Sequence, residues 1–448
     1  FYTIQMSVTG TVLGIFFALV LSPFGAANLG FPAVIRRILR IVIQILRSFP
    51  ALILALTATF LFGLGTFAGT FAITLYTFAI MTKLTYEDAS AADVKAYQAL
   101  RAMGVSKYVA YIHGILPEII PGFLTNALYL LETNVRHSSI LGYVGAGGIG
   151  LLLNEKISWL EYDKVGTILL MLFLTVCVIE YFSRYLAALI RKERTIKKEQ
   201  ARLLLLFLAA LFLICTFTLS LPDFSRTSPQ TLRNMFAGFL QPDWSFFFSA
   251  EKDGLGYLLL ETVCIAFIGT VIGAIVSAPL AFLNTKRFVP APVSFLFNLV
   301  IMVIRSVPFL VYGLIFIRVS GPGAFTGVLT LAVCSIGLLT KRFTEALDAL
   351  DPRPYHALLA MGVRPLPAIC HSVLPQLKPV FTSIILYRFD VNIREASVLG
   401  LVGAGGIGAP LIFSMNQYAW EKAGAIMLGL ILFVWFIDMV SEKIGAGN

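Results

Sequence analysis

Eleven stretches of near-continuous apolar sequence leave this chain few folds to choose from. They lie near residues 3–23, 38–64, 67–82, 115–133, 163–190, 202–221, 256–283, 293–317, 324–340, 373–390 and 421–441. Each is long enough to cross, or nearly cross, a hydrocarbon layer of about 30 Å. None alternates with the period of two that marks a transmembrane β-strand, so the fold class is all-α and polytopic. Composition agrees: 58% of the 448 residues are hydrophobic and 13% charged, about half the charge of a soluble domain. Mean hydropathy is +0.86. Disorder, a disulfide scaffold and a soluble domain are excluded together.

Lys and Arg outnumber Asp and Glu by 34 to 24. In a membrane protein that excess marks cytoplasmic loops, and no nucleic-acid partner is expected. The strongest marker is Arg184, Arg191, Lys192, Arg194, Lys197, Lys198 and Arg202, with Glu193 and Glu199 alone opposing them. This places a cytoplasmic linker at 191–201 and divides the chain into 1–190 and 202–448. Alternation from that anchor puts Lys83, Lys286, Arg287, Lys341 and Arg342 inside as well. The five cysteines stand singly in apolar sequence and no metal site is expected. The chain starts at Phe1 within an apolar run, so a further helix before it is expected and no cleavable signal peptide is read.

The chain repeats itself. Arg47-Ser-Phe-Pro50 recurs as Arg305-Ser-Val-Pro308, and Thr82-Lys83 as Thr340-Lys341. Ala99-Leu-Arg-Ala-Met-Gly-Val105 recurs as Ala357-Leu-Leu-Ala-Met-Gly-Val363. Asn134-Val-Arg-His-Ser-Ser-Ile-Leu-Gly-Tyr-Val-Gly-Ala-Gly-Gly-Ile-Gly150 recurs as Asn392-Ile-Arg-Glu-Ala-Ser-Val-Leu-Gly-Leu-Val-Gly-Ala-Gly-Gly-Ile-Gly408. The offset is 258 throughout. Two parallel repeats of about six spans follow, the first lacking its first helix here, related by an axis along the membrane normal and enclosing a central path.

Between the third and fourth span of each repeat lies an Ala-rich, mixed-charge segment that favours helix. Gly104 and Gly362 mark a helix end within it. Two short helices on the inner face are expected in each repeat. The frame Gln98-Ala99-Leu100, Ala102, Gly104, Leu116-Pro117, repeated as His356-Ala357-Leu358, Ala360, Gly362, Leu374-Pro375, resembles the cytoplasmic loop of bacterial ABC importer permeases. With Arg-Ser-X-Pro, Asn-X-Arg-X-X-Ser-X-Leu-Gly and Val-Gly-Ala-Gly-Gly-Ile-Gly in the same order, the chain is similar to phosphonate-type importer permeases. The likeness covers 5–190 and 255–441. Here two usually separate copies would be fused.

The resemblance implies a type I importer fold in a bacterial plasma (inner) membrane. Two separate ATPase subunits would hold ATP and Mg and dock on Gln98, Ala99, Ala102, Gly104 and Val105, and on His356, Ala357, Ala360, Gly362 and Val363. An extracellular or periplasmic binding protein would deliver a small anionic phosphorus compound, a phosphonate or phosphite. A phosphorylated vitamin and a methionine- or betaine-like solute are alternatives. An ion-driven secondary transporter is a different class, which normally places carboxylates at mid-span. No GxxxxGK[ST] loop occurs, so ATP hydrolysis and cofactors are assigned to the partners.

Gly145, Gly147, Gly148 and Gly150, with Gly403, Gly405, Gly406 and Gly408, satisfy GxGxxG. No strand pattern flanks them, so a dinucleotide turn is not read. Non-helical backbone at membrane depth lines a cavity or is buried in protein. An external gate and a plain glycine-rich turn are the two readings. Arg47 and Arg305 fall within spans, as do Glu132 and Asp390 near the outer ends of theirs. Either the arginines meet an anionic substrate or they pair with carboxylates. Asn134, Arg136, Asn392 and Arg394, just beyond, would hold the glycine segments, contact an oxyanion or anchor to headgroups.

Overall fold

Pro50 and Pro308 decide more of the architecture than any other single residues. Proline has no N–H to give a helix and forces the residue before it out of helical geometry. Phe49 and Val307 accordingly adopt extended backbone. The sequence reading runs 38–64 and 293–317 as unbroken spans, and the structure corrects this. In the computed structural model α2 (Ala33–Ser48) meets α3 (Ala51–Phe62) at 95°, and α14 (Ala291–Ser306) meets α15 (Phe309–Ser320) at 85°.

The structure describes residues 1–190, 198–220, 222, 229–249, 251 and 254–445, and their regular structure is helical. Residues 191–197 of the expected basic linker fall outside them. Packing divides the chain into two compact units, Phe1–Arg233 and Asn234–Asn448. Among the described residues seven helices are long and apolar enough to cross a membrane, or ten if each bent pair counts as one span. The sixth expected span, 202–221, has a shorter apolar helix at Leu206–Phe217.

The first unit begins with α1 (Tyr2–Gly25), α2 and α3. It continues with α4 (Thr66–Ala91), the short α5 (Lys95–Ala102) and α6 (Lys107–Gly114), α7 (Leu116–Leu141), α8 (Ile149–Ser158) and α9 (Tyr162–Ile190). Then comes α10 (Lys198–Phe217), and α11 (Pro229–Leu240) leads into the second unit with α12 (Trp244–Phe247). There α13 (Leu255–Asn284), α14, α15, α16 (Ala324–Ala349), α17 (Arg353–Ala360) and α18 (Pro365–Ala368) repeat the order. The series closes with α19 (Leu374–Leu399), α20 (Gly408–Asn416) and α21 (Trp420–Gly445). From α2 to α5 and again at α7, boundaries in the two repeats differ by the 258 residues of the sequence offset.

The repeat extends to α1 and α13 with a shift of one. Gly10-Thr-Val-Leu-Gly14 returns as Gly269-Thr-Val-Ile-Gly273, an offset of 259, because the loop at 26–32 is one residue longer than that at 285–290. Two small residues four apart let helices approach closely where no water drives them together. A Cβ at Gly10 would lie 2.8 Å from Ile73, and one at Gly269 would lie 2.8 Å from Leu331. Thus α1 seats on α4, and α13 on α16, through the same glycine pair.

The packing boundary does not follow the repeat boundary expected at 202. By sequence α10 opens the second repeat, yet it packs within the first unit. Gln5 donates to the Cys215 carbonyl (3.1 Å) and to Thr218 Oγ1 (2.9 Å), and Thr66 and Ser220 hydroxyls lie 2.9 Å apart.

Candidate functional site

Each unit has two ends, about 39 Å apart along a 26-residue helix. At one end sits the short-helix hairpin, at the other the glycine turn, and a polar seam lies between.

In the first hairpin α5 closes with Gly104 at φ +86°. Gly104 N–H bonds the Arg101 carbonyl at 3.0 Å and Val105 N–H reaches Leu100 at 3.2 Å, a left-handed helix stop that glycine makes without strain. Arg101 bonds the Val105 carbonyl across the turn. Gly362, at φ +81°, does the same in the second hairpin. Both expected helix pairs are therefore present. Gln98, Ala99, Ala102 and Gly104 are exposed and Val105 is half-buried; His356, Ala357, Ala360 and Gly362 are exposed and Val363 is half-buried. Met103 and Met361 are 78% and 70% exposed beside them. Small residues flanking a protruding methionine form a shallow apolar surface with accessible backbone.

The hairpin is anchored from behind. Tyr97 is buried and its hydroxyl donates to the Leu29 carbonyl at 2.6 Å; burial pushes this phenol above its ordinary pKa. Lys107 bonds the Gly30 carbonyl. Asn28 donates to Ala89 (2.9 Å) at the end of α4. In the second unit Arg287, at the matching position, caps the end of α16 through Leu347 (2.8 Å) and Leu350 (3.0 Å). The second hairpin meets the loop after α13 through the rings of Tyr355 and Phe288, 5.5 Å apart, so each hairpin is tied to a loop that in turn holds the end of a long helix.

The polar seam centres on Asn134 and Asn392, both fully buried. Asn134 donates to Thr11 and Thr77 at 2.7 Å each, joining α7 to α1 and α4. Asn392 donates to Thr270 (2.7 Å) and Ser335 (2.9 Å), joining α19 to α13 and α16. Both asparagines thus brace the interior of their unit, a role outside the three expected of them from the sequence. Glu132 pairs with Arg136, and Asp390 with Arg394, each one helical turn apart. The span expected at 115–133 continues to Leu141. Glu132 therefore lies some nine residues before the helix end, about 14 Å, which corrects its placement near an outer end; Asp390 matches it. The helix can continue through this polar sequence because its Asn amides donate to hydroxyls on neighbouring helices, and Ser138 meets Ser7 of α1.

Arg47 and Arg305 are half-buried in the last turns of α2 and α14, before the proline breaks. Arg305 lies across α16, where a Cβ at Gly337 would sit 3.0 Å from its Cγ. Two groups escaped the sequence reading. Arg388, 5% exposed by side chain, is held by Glu395 (2.8 and 3.5 Å) and by Ser335 Oγ (3.2 Å). The first repeat has Leu130 and His137 at these positions, so a search for recurring residues passes over them.

At the far end the glycines fold back into their own unit. Gly145 (φ +85°) and Gly403 (φ +90°) end the helical segments after α7 and α19. Ala146 N–H bonds the Leu141 carbonyl, and Ala404 that of Leu399, both at 3.2 Å. The loop before α4 locks on from the side: Gly65 donates to Gly145 at 3.0 Å and Gly323 to Gly403 at 2.9 Å. Gly147, Gly148, Gly405 and Gly406 keep positive φ between +76° and +80°, which seats the turn on α1 and α13. There Thr3 Oγ1 accepts from Ile149 N (2.9 Å) and Thr262 Oγ1 from Ile407 N (3.1 Å). A Cβ at Gly150 or Gly408 would strike the carbonyl of Ser139 or Ser397. Among the described residues no strand adjoins either turn.

The family described as "Binding-protein-dependent transport system inner membrane component" matches at residues 10–195 and again at 269–444. The chain is 28% identical over 447 residues to the "Phosphate-import permease protein PhnE" of Mycolicibacterium smegmatis, across 98% of this chain and 83% of that protein. It is 36% identical over 184 residues to the "Phosphite transport system permease protein PtxC" of Stutzerimonas stutzeri, across 41% of this chain and 67% of the relative. A solved inward-facing structure of the MetNI methionine ABC transporter shares 23% identity at a TM-score of 0.38, covering 42% of this chain and 93% of its own.

Proposed function

Because the chain belongs to the family of binding-protein-dependent transport system inner membrane components, we propose that it forms the path by which a small phosphorus oxyanion crosses a bacterial inner membrane. Phosphate, phosphite and phosphonates are the substrate class, which the relatives' names support. The observation that carries the mechanism is the pair of exposed hairpins. Each repeat presents Ala-X-X-Ala-Met-Gly-Val on an anchored turn, at the end of its unit opposite the glycine turn.

In this reading the hairpin end is cytoplasmic and two ATPase subunits dock there, holding ATP and Mg. A binding protein delivers the anion at the glycine end, where the turns of Gly145–Gly150 and Gly403–Gly408 form the external gate. Closure of the ATPases moves the hairpins. Tyr97 and Lys107 pass that movement to the loop after α1, which Asn28 ties to α4, and Tyr355 passes it through Phe288 to the loop after α13, which Arg287 ties to α16. The asparagine braces then carry it to α7 and α19.

Gly104→Asp combined with Gly362→Asp tests the coupling. Both positions stand open to solvent, so the carboxylates meet no neighbour and the strain of a side chain at positive φ stays within the hairpins; the variant should insert while ATP-driven uptake falls at least tenfold. Normal uptake would overturn the coupling role. Competition against labelled phosphite by phosphate, methylphosphonate, methionine, betaine and thiamine phosphate then sorts the substrate class; the phosphorus oxyanions alone should compete.

A further inference from the structure

The outward face of a membrane helix reports its neighbour. On α1 the exposed side chains include Val12, Phe16, Phe17 and Val20, and on α13 Leu260, Phe267, Ile268 and Ile275. These are lipid faces. The helices α7 and α19 are built differently. Their buried face carries Phe123, Ala127, Leu130 and Asn134 in one, and Leu377, Arg388 and Asn392 in the other.

The opposite face of α7 reads Thr125, Tyr129, Glu132, Arg136, a spacing of four, three and four that keeps all four within about 60° of one another. On α19 the same places hold Ser383, Tyr387, Asp390 and Arg394. Tyr129 is 51% exposed and Tyr387 64%. Each stands 13 residues into a 26-residue helix, about 20 Å from either end, too deep for the interfacial aromatic belt. One turn further on, the two ion pairs stay partly accessible, at 17% and 10% for Arg136 and Glu132 and 20% and 15% for Arg394 and Asp390. Exposed phenols at that depth, beside part-exposed guanidiniums of which the first is backed by a buried Glu132, are costly against hydrocarbon and fit a water-filled path.

We propose that in each unit this stripe lines the translocation path, and that its tyrosine and arginine, Tyr129 with Arg136 in the first and Tyr387 with Arg394 in the second, select the substrate. Within each stripe the phenol and the guanidinium donate hydrogen bonds to a tetrahedral oxyanion. Glu132 and Asp390 compete with that anion for the arginines, so it is recognised and then released rather than trapped. The choice of ligand rests on the phosphorus-oxyanion reading above; the lining does not.

The test uses the full chain assembled with its partner subunits in liposomes, with the five cysteines replaced. Tyr129→Cys and Tyr387→Cys are exposed to a membrane-impermeant methanethiosulfonate, with Leu174→Cys on the apolar face of α9 as the lipid-side control. Labelling at 129 and 387 at least ten times faster than at 174 is expected, and phosphite should slow it. Rates equal to the control overturn the lining. Fast labelling that no phosphorus oxyanion slows supports the lining and overturns the selective role, while the competition assay above decides the substrate class by itself. Should the cysteine variants fail to insert, Thr125→Cys and Ser383→Cys probe the same stripe. Uptake separates selection from structure: Tyr129→Phe with Tyr387→Phe should raise the KM for phosphite about five- to tenfold at normal protein level. An unchanged KM sinks the phenol role.

Discussion

The two repeats share one frame but fill its middle with different chemistry. At the depth of the asparagine brace, the second repeat carries a buried Arg388–Glu395 pair tied through Ser335 to Asn392. The first has Leu130 there, and His137, whose ring lies 5.1 Å from that of Tyr76. The hairpins differ too. In the first, α6 turns 69° into α7. In the second, α18 runs through a π-helical turn at Ile369–Val373 into α19. One residue underlies that contrast. Gly114 lets α6 press against α5, since a Cβ there would stand 2.8 Å from Tyr97 N; the second repeat has Ser372. Duplicated halves need not move alike, and this pair has one half with a charge pair within α19 that reaches α16 through Ser335, and the other folded tightly at its hairpin.

The largest effect should come from breaking the charged joint. Glu395→Gln strands a buried guanidinium, which typically costs about 3–5 kcal/mol, while His137→Gln removes no charge partner and should cost far less. Thermal unfolding in detergent reads both. Transplanting the first repeat's residues, Arg388→Leu with Glu395→His, should recover most of the loss. If Glu395→Gln unfolds no earlier than His137→Gln, the two repeats are equivalent at this depth and the contrast fails.

Legibility followed the symmetry. What recurs was readable: the motif pairs at offset 258, the hairpin stops at Gly104 and Gly362, the turns at Gly145 and Gly403. What does not recur was missed. Arg388 and Glu395 have no counterpart in the first repeat, and the Gly10–Gly14 pair is displaced by one residue in a loop, so a fixed offset hid it. The proline breaks were in plain sight, but hydropathy sums along the chain and cannot register a bend. The seating of α10 on the first unit rests on hydrogen bonds from Gln5 to residues 210 and 213 positions away, a pairing no local pattern encodes. Tyr129 and Tyr387 do recur at 258. They passed unnoticed because a tyrosine in a span is unremarkable until its exposure is known.

The hairpin contrast yields a smaller, reciprocal pair of effects. Gly114→Ser places a side chain against the Tyr97 backbone, and overpacking of that kind costs about 1–3 kcal/mol. Ser372→Gly enters a looser site and should cost about 1 kcal/mol or less, the ordinary penalty of glycine in a helix. ATPase stimulation in the assembled complex should fall for the first variant and hold for the second. A reversed order would mean that the tight packing is not what stiffens the first hairpin.

The finest difference lies in one hydroxyl. Tyr97 bonds the Leu29 carbonyl at 2.6 Å, whereas Tyr355 packs edge-on against Phe288 with ring centroids 5.5 Å apart. Tyr97→Phe should therefore lose about 0.5–1.5 kcal/mol, and Tyr355→Phe close to nothing. Hydrogen exchange resolves a change of that size: 1 kcal/mol corresponds to about a fivefold rise in the open population, visible at the amides of α5 and flat at those of α17. Equal acceleration in both hairpins would show that the Tyr97 bond anchors nothing, and the hydrogen-bonded route from hairpin to the loop after α1 would then have to run through Lys107.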